Sequence, residues 1–166
     1  MDMDQYGSSF YIHISSKDSK DYFPNNKVAH FRVKLGRPLN LQGSWVVGLC
    51  EIQLRNLSHR AHVALVDTTQ PARGDDDVIE EPSIVSLRVE CSLCMGLIVG
   101  GVQTRTLRTL STKGNLYKVF PLIYYFPIET RHTDTLEFCI LNSDGKLATF
   151  NEINGEVEMT LRLKSC

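Results

Sequence analysis

The strongest constraint on the fold of this chain is a period of two in its apolar residues. Phe10, Ile12 and Ile14 alternate with Tyr11, His13 and Ser15. Ala29, Phe31, Val33 and Leu35 alternate with His30, Arg32 and Lys34. The same spacing returns over residues 85–91, 135–140 and 157–164. Successive side chains of an extended strand point to opposite faces, so each stretch has one face for a core and one for water. Residues 44–50 (SWVVGLC) are apolar on both faces, which marks a central strand covered on each side. No window shows a sustained helical period.

The punctuation fits short strands. Gly36-Arg37-Pro38 reads as the end of the second strand, because proline cannot continue a ladder. Asn142-Ser143-Asp144-Gly145 and Asn154-Gly155 are hairpin signals, since Asn-Gly and Asp-Gly accept positive φ at little cost. Gly100-Gly101 fits a bulge or a close strand crossing. Strands are expected at about 9–15, 28–36, 44–55, 62–66, 84–92, 102–110, 116–126, 134–141 and 156–164. Many antiparallel strands with long intervening loops mean an all-β sandwich or jelly roll. The long polar loops span 15–27 and 67–83, the second rich in Pro, Asp, Glu and Thr and so expected to be exposed. Residues 1–8 read as a flexible N-terminal arm and residues 9–166 as a single domain, with no internal repeat.

Composition narrows the function classes. A chain of 166 residues is long enough to bury a real core. Its net charge of −1 excludes a generally basic nucleic-acid binder. No apolar run approaches the length of a membrane span. The acidic, polar start (MDMDQYGSS) is unlike a secretory signal, so the chain is expected to fold in the cytosol or nucleus. The five cysteines, Cys50, Cys91, Cys94, Cys139 and Cys166, are an odd number, which argues against a disulfide framework there.

Candidate chemistry is sparse. Cys91-Ser92-Leu93-Cys94 has the spacing of a metal knuckle, but a structural zinc site needs a second pair, and His59 and His62 lie in another segment. The histidines His13, His30, His59, His62 and His132 sit in no nucleophile motif. The glycines of LIVGGV lack the Lys-Ser/Thr of a phosphate-cradling loop. No catalytic residue, cofactor or metal ligand is therefore expected, and the chain is read as not an enzyme.

The order of motifs carries a resemblance. Phe10-Tyr11 opens a strand, Tyr22-Phe23-Pro24-Asn25-Asn26 forms a loop, and Lys34-Leu35 leads to a turn. Residues 43–52 (GSWVVGLCEI) follow, then Val99-Gly100, residues 106–110 (TLRTL), 123–129 (IYYFPIE), 136–150 and 155–163. This series resembles the penton (minor capsid) proteins of Polinton/Maverick elements and their adintovirus and adomavirus relatives, over nearly the whole chain. Where those have Leu-Pro-Ser-Asn after the first strand, this chain has Ile14-Ser15-Ser16-Lys17. The resemblance implies an antiparallel single jelly roll of about eight strands and a closing hairpin over residues 136–163. It also implies a homopentamer at the five-fold vertices of an icosahedral virion, beside double jelly-roll major capsid (hexon) neighbours, made in the host cytoplasm or assembled in the nucleus.

One short motif has a sharp functional reading. Arg73-Gly74-Asp75 presents a cation and a carboxylate on a hinge, the pair that integrins read. Adenovirus penton bases carry the same tripeptide on a loop. Arg73, Gly74 and Asp75 are thus the candidate integrin-binding residues, and a fibre protein is another candidate partner. The plain alternative is a solvated acidic loop, since Asp76 and Asp77 follow directly. The competing functions are a receptor- or carbohydrate-binding jelly roll outside any shell, and a cupin-like enzyme. The only Trp, Trp45, lies in a strand rather than in a sugar-binding loop, and no His-x-His cluster exists for the enzyme.

Overall fold

The computed structural model describes residues 8–58 and 84–166, and these form β-strands with no helix. The strands are β1 (Ser9–Ser15), β2 (His30–Asn40), β3 (Trp45–Arg55), β4 (Val85–Cys91), β5 (Leu97–Val99), β6 (Val102–Thr104), β7 (Thr106–Thr112), β8 (Leu116–Val119), β9 (Tyr125–Pro127), β10 (His132–Asn142) and β11 (Glu156–Ser165). One sheet runs β1-β11-β3-β8, with β9 also on β3. The other runs β2-β10-β4-β7, and β5 pairs with β6 alone. Every pairing is antiparallel. The chain passes back and forth between two four-stranded layers, which is the expected jelly roll of eight principal strands.

The alternating sequence sets the register and the core together. Along β11, Val157, Met159, Leu161 and Leu163 are buried while the residues between them reach the surface. β10 does the same with Leu136, Phe138 and Ile140. A slip of one residue would turn either set into water, so the register is strongly specified. The Phe31 and Phe138 rings stack at 5.4 Å in the middle of the core. Val33, Val47, Leu87, Val157 and Leu161 are buried as the pattern requires. Phe10, Ile12 and Trp45 are only half-buried. The first two lie on the edge strand β1. Trp45 starts β3, packs on Phe10 at 5.6 Å and donates its ring N–H to the Gln42 carbonyl at 2.8 Å.

Four expected boundaries are corrected. β2 does not end at Gly36-Arg37-Pro38 but continues to Asn40, because those residues bulge out of the pairing. Lys34 faces Thr135, and Leu39 faces Thr133. β2 is an edge strand, where a missing N–H is tolerated. The stretch 102–110 breaks at Arg105, where the ladder shifts and Glu90 pairs with Thr106. The stretch 116–126 divides into β8 and β9, both on β3, with Pro121 in the gap. Gly100-Gly101 is neither bulge nor crossing but the two-residue turn of the β5–β6 hairpin. Both glycines have positive φ (58° and 79°), which that turn demands.

Asn142 to Gly145 does form a tight reversal, closed by the Leu141–Leu147 bridge, with Gly145 at φ 75°. The closing hairpin over 136–163 is not found. β10 and β11 lie in different sheets, and Asn154-Gly155 belongs to a crossover between them. The expected strand at 62–66 lies outside the described residues.

Central position of β3 explains its two apolar faces. Val47 and Leu49 enter the core. Gly48 faces outward, where Ile123 and Tyr124 lie across it; a Cβ there would sit 2.8 Å from the Tyr124 carbonyl oxygen. The β1–β2 connection, the β10–β11 crossover and Asn56–Ser58 gather at one end of the sandwich. Val28 N–H donates to Glu152 there, and Leu57 bridges to Phe150. At the opposite end, Glu129 N–H donates to the Leu93 carbonyl and Leu41 N–H to the Arg131 carbonyl.

Candidate assembly surfaces

Three surfaces carry chemistry. The first is a polar row across the outer face of the β1-β11-β3-β8 sheet. Register places His13, Thr160, Glu51 and Val119 side by side, with Tyr117 next along β8. Thr160 Oγ1 donates to Glu51 Oε1 at 2.8 Å, and Tyr117 OH donates to Glu51 Oε2 at 3.0 Å. The Thr160 hydroxyl has one proton, so His13 Nδ1 is the donor in the 3.0 Å bond between them. The hydrogen bond from Thr160, then that from Tyr117, holds the Glu51 carboxyl below the usual carboxylate range, with His13 adding to it. The same bond to Glu51 pushes Tyr117 up. Arg55 ties Glu156 and Glu158 together beside this row.

The second surface is the outer face of the β2-β10-β4-β7 sheet. Glu137 accepts from His30 Nε2 at 2.6 Å and lies 3.7 Å from Arg32. Lys34 pairs with Asp134 and holds that carboxyl down. A depression of about 310 Å³ opens between this face and the base of the hairpin, lined by Glu90, Glu137, Cys139, Gln103 and Arg105 among others. Burial first, then the charges of Glu137 and Glu90, pushes the Cys139 thiol up to about 11.

The third surface is the hairpin itself with its flank. Ile98 is 79% exposed, Val102 60%, Leu97 51% and Met95 46%. The root beneath them is fixed. Arg105 Nη1 donates to the carbonyl of Cys94 at 2.8 Å and to Glu129 at 3.0 Å, while Met95 N–H donates to the Pro127 carbonyl at 3.0 Å. Nearby on β7, the Arg108 guanidinium lies between the rings of Phe120 (4.1 Å) and Tyr124 (4.0 Å) and donates to the Leu122 carbonyl. A cation over an aromatic face gains roughly 0.5–1 kcal/mol at exposed sites. This clamp ties the 120–124 segment to β7.

The residues singled out by sequence fare differently. Arg73, Gly74 and Asp75, together with His59 and His62, lie outside the described residues. Cys91 and Cys94 are buried at a turn, where Cys94 N–H donates to the Cys91 carbonyl, and burial raises the Cys91 thiol. No group of three or more His, Cys, Asp or Glu clusters in metal-binding fashion among the described residues. His13 and His30 engage separate faces, and the structure does not bring them together. Sequence reasoning did not identify the apolar hairpin or the Arg108 clamp. Val-Gly-Gly-Val between apolar residues was the available signal for the first; nothing in the spacing of Arg108, Phe120 and Tyr124 announces the second.

No protein-family profile matches the chain, and no curated protein matches it in sequence. Among solved structures it is similar to the selenomethionine-labelled mavirus penton protein, with a TM-score of 0.53 at 8% identity, over 96% of this chain and 100% of that one. It also aligns with the infectious bursal virus derived T=1 particle (TM-score 0.28, 13% identity, 95% of this chain, 32% of that one) and with the infectious bursal disease virus VP2 subviral particle (0.27, 12%, 95% and 33%). The fold expected from the sequence resemblance is therefore the fold observed: the chain shares its architecture with a viral penton protein from end to end.

Proposed function

We propose that this chain is a structural, non-enzymatic protein of an icosahedral virus shell, the penton that forms homopentamers at the five-fold vertices. The observation that carries this reading is the end-to-end fold match to the mavirus penton protein, which agrees with the motif order in the sequence. The fold alone is not the argument, since jelly rolls serve many functions. In this role the sandwich core supplies rigidity, and the outer faces and loops meet neighbours: four other copies, and double jelly-roll major capsid subunits around the vertex. The protein acts in the virion, after synthesis in the host cytoplasm and assembly there or in the nucleus. Closing a five-membered ring requires two different, complementary surfaces on each subunit. The test pairs a mass measurement in solution with images of the intact particle. Five-chain rings and density at the vertices are expected. A strict monomer that is also absent from the five-fold positions would leave the lone receptor- or carbohydrate-binding module as the better reading.

Receptor attachment through Arg73-Gly74-Asp75 belongs to the same proposal. The tripeptide lies in sequence between β3 and β4, beyond Ser58, whose N–H donates to the Thr149 carbonyl of the β10–β11 crossover. Asp75→Glu displaces the carboxylate by one methylene, so integrin-dependent cell attachment should be lost while assembly is unchanged. Unaltered attachment would reduce the tripeptide to a solvated loop.

A further inference from the structure

The β5–β6 hairpin stands apart from both sheets, pairs only with itself among the described residues, and turns its apolar side chains to solvent. Met95, Leu97, Ile98 and Val102 together leave on the order of 400 Å² of apolar surface exposed, with Leu97 and Val102 on one face of the hairpin and Ile98 on the other. That area is about half of the ~800 Å² that each partner contributes to a standard interface. The hairpin is also held firmly at its root by Arg105, so presenting it costs little further ordering. Residues 93–104 contain no charged side chain at all. Charge-free, apolar contact surfaces belong to permanent assemblies of identical subunits rather than to passing encounters.

The opposite side of the sandwich offers a matching feature. The hairpin joins β4 to β7, and β7 and β8 are the outermost strands on that side. The other side ends in β2 and β1. β2 carries Arg32, Lys34, Arg37 and Pro38, the cations and proline that discourage strand addition at an edge. β1 (SFYIHIS) carries no Lys, Arg, Asp, Glu or Pro; one side of it pairs with β11 and the other is open among the described residues. Its Tyr11 is 62% exposed, and Phe10 and Ile12 are half-buried.

We propose that the β5–β6 hairpin of one copy seats against the open flank of β1 in the next copy, as the head-to-tail contact that closes the ring. This rests on the ring reading above and names its two faces. The test uses the full chain with Ile98→Asp on the hairpin and Tyr11→Lys on β1, both exposed, with unchanged circular dichroism and a cooperative melt as the folding control. Ile153→Asp, at the 86%-exposed tip of the β10–β11 crossover, is the surface control. Wild type and Ile153→Asp should run as five copies of the 18.8 kDa chain, and each of the other variants as a single chain. An equimolar mixture of Ile98→Asp and Tyr11→Lys retains one intact hairpin–β1 contact per pair and should stop at two chains. Rings formed by Ile98→Asp, or a mixture that stays monomeric, would overturn this inference and leave the ring reading standing. A wild type that is monomeric at every concentration would overturn this inference too, and if it were also absent from the five-fold positions of the particle the ring reading itself would fall.

Discussion

Gly48 sets up a sharp stability experiment, because the segment 120–124 crosses it. In Gly48→Ala the new methyl would lie 2.8 Å from the Tyr124 carbonyl oxygen and 3.2 Å from Tyr125 Cδ1, and would run into Ile123 Cγ2. The carbonyl contact must open by about 0.6 Å before it becomes ordinary van der Waals contact. Opening it strains the β9 pairs Val47–Phe126 and Gly48–Tyr125 and tilts Tyr124 off Arg108. Overpacking of this kind costs about 1–3 kcal/mol. Against it stands a gain of roughly 0.4–1 kcal/mol from the stiffer unfolded chain. The net loss is at most about 2.6 kcal/mol and centred near about 1.3, a fall of roughly 0.6 M in the urea midpoint if m is near 2 kcal/mol/M. Equilibrium urea unfolding followed by Trp45 fluorescence reads this directly. Gly36→Ala is the control: no atom lies within 4 Å of its added methyl, so its midpoint should not fall. Ile123→Ala in the Gly48→Ala background should recover part of the loss, since it removes the side-chain obstacle and leaves the carbonyl. A Gly48→Ala midpoint above that of wild type would refute the close crossing, because the gain from a stiffer unfolded chain would then stand unopposed.

Further outcomes follow from other sites. Phe138→Ala empties the stacked position against Phe31 and should cost about 3–5 kcal/mol, read as a lowered melting midpoint; a loss under about 1 kcal/mol would contradict the core assignment. The depressed Glu51 carboxyl favours the native state above the ordinary glutamate pKa of about 4.3 and ceases to do so as pH falls through its lower native value. The stability gap between wild type and Glu51→Gln should therefore narrow between pH 7 and pH 3, and a constant gap would show that Glu51 is not held ionised. Cys139, pushed up to about 11, should react with maleimide far more slowly than exposed Cys166. At pH 8.5 its thiolate fraction is lower than that of an ordinary thiol by on the order of 100-fold, and equal labelling by mass spectrometry would contradict the burial and charge around it.

What the sequence disclosed depended on whether the cause was local. Alternation in β4, β10 and β11 is local and names the inward residues Leu87, Phe138 and Leu161 without knowledge of their partners. Pro38 misled because the meaning of a proline depends on whether its strand lies at an edge, which is a property of the whole sheet. The same holds for Asn154-Gly155: a good turn does not reveal whether the strands on either side pair with each other or with opposite layers. Phe10 and Trp45 share the pattern of buried residues, yet Phe10 lies on the edge strand β1 and Trp45 at the very start of β3. Gly48 looked like one apolar-strand residue among several, and only the packed segment above it shows why a side chain does not fit. For the assembly surfaces, charge-free LIVGGV was visible in the sequence, but its projection from the sandwich was not.

The strand order also has a consequence for how the molecule is made. β1 precedes the other described strands in the chain, and its ladder partner within one copy is β11, with Ser9 opposite Lys164 and Ser15 opposite Glu158. β3 lies on the other side of β11, so β1 has no ladder partner, and β3 has only β8 and β9, until residues 156–165 are in place. Pairings this distant in sequence are slow to form, because the intervening chain must lose its freedom before the contact rewards it. A chain that lacks β11 leaves β1 without its ladder partner and one side of β3 open, and such unpaired edges are prone to aggregate. β11 acts as the keystone between β1 and β3, and deleting residues 156–165 would abolish the fold rather than trim it.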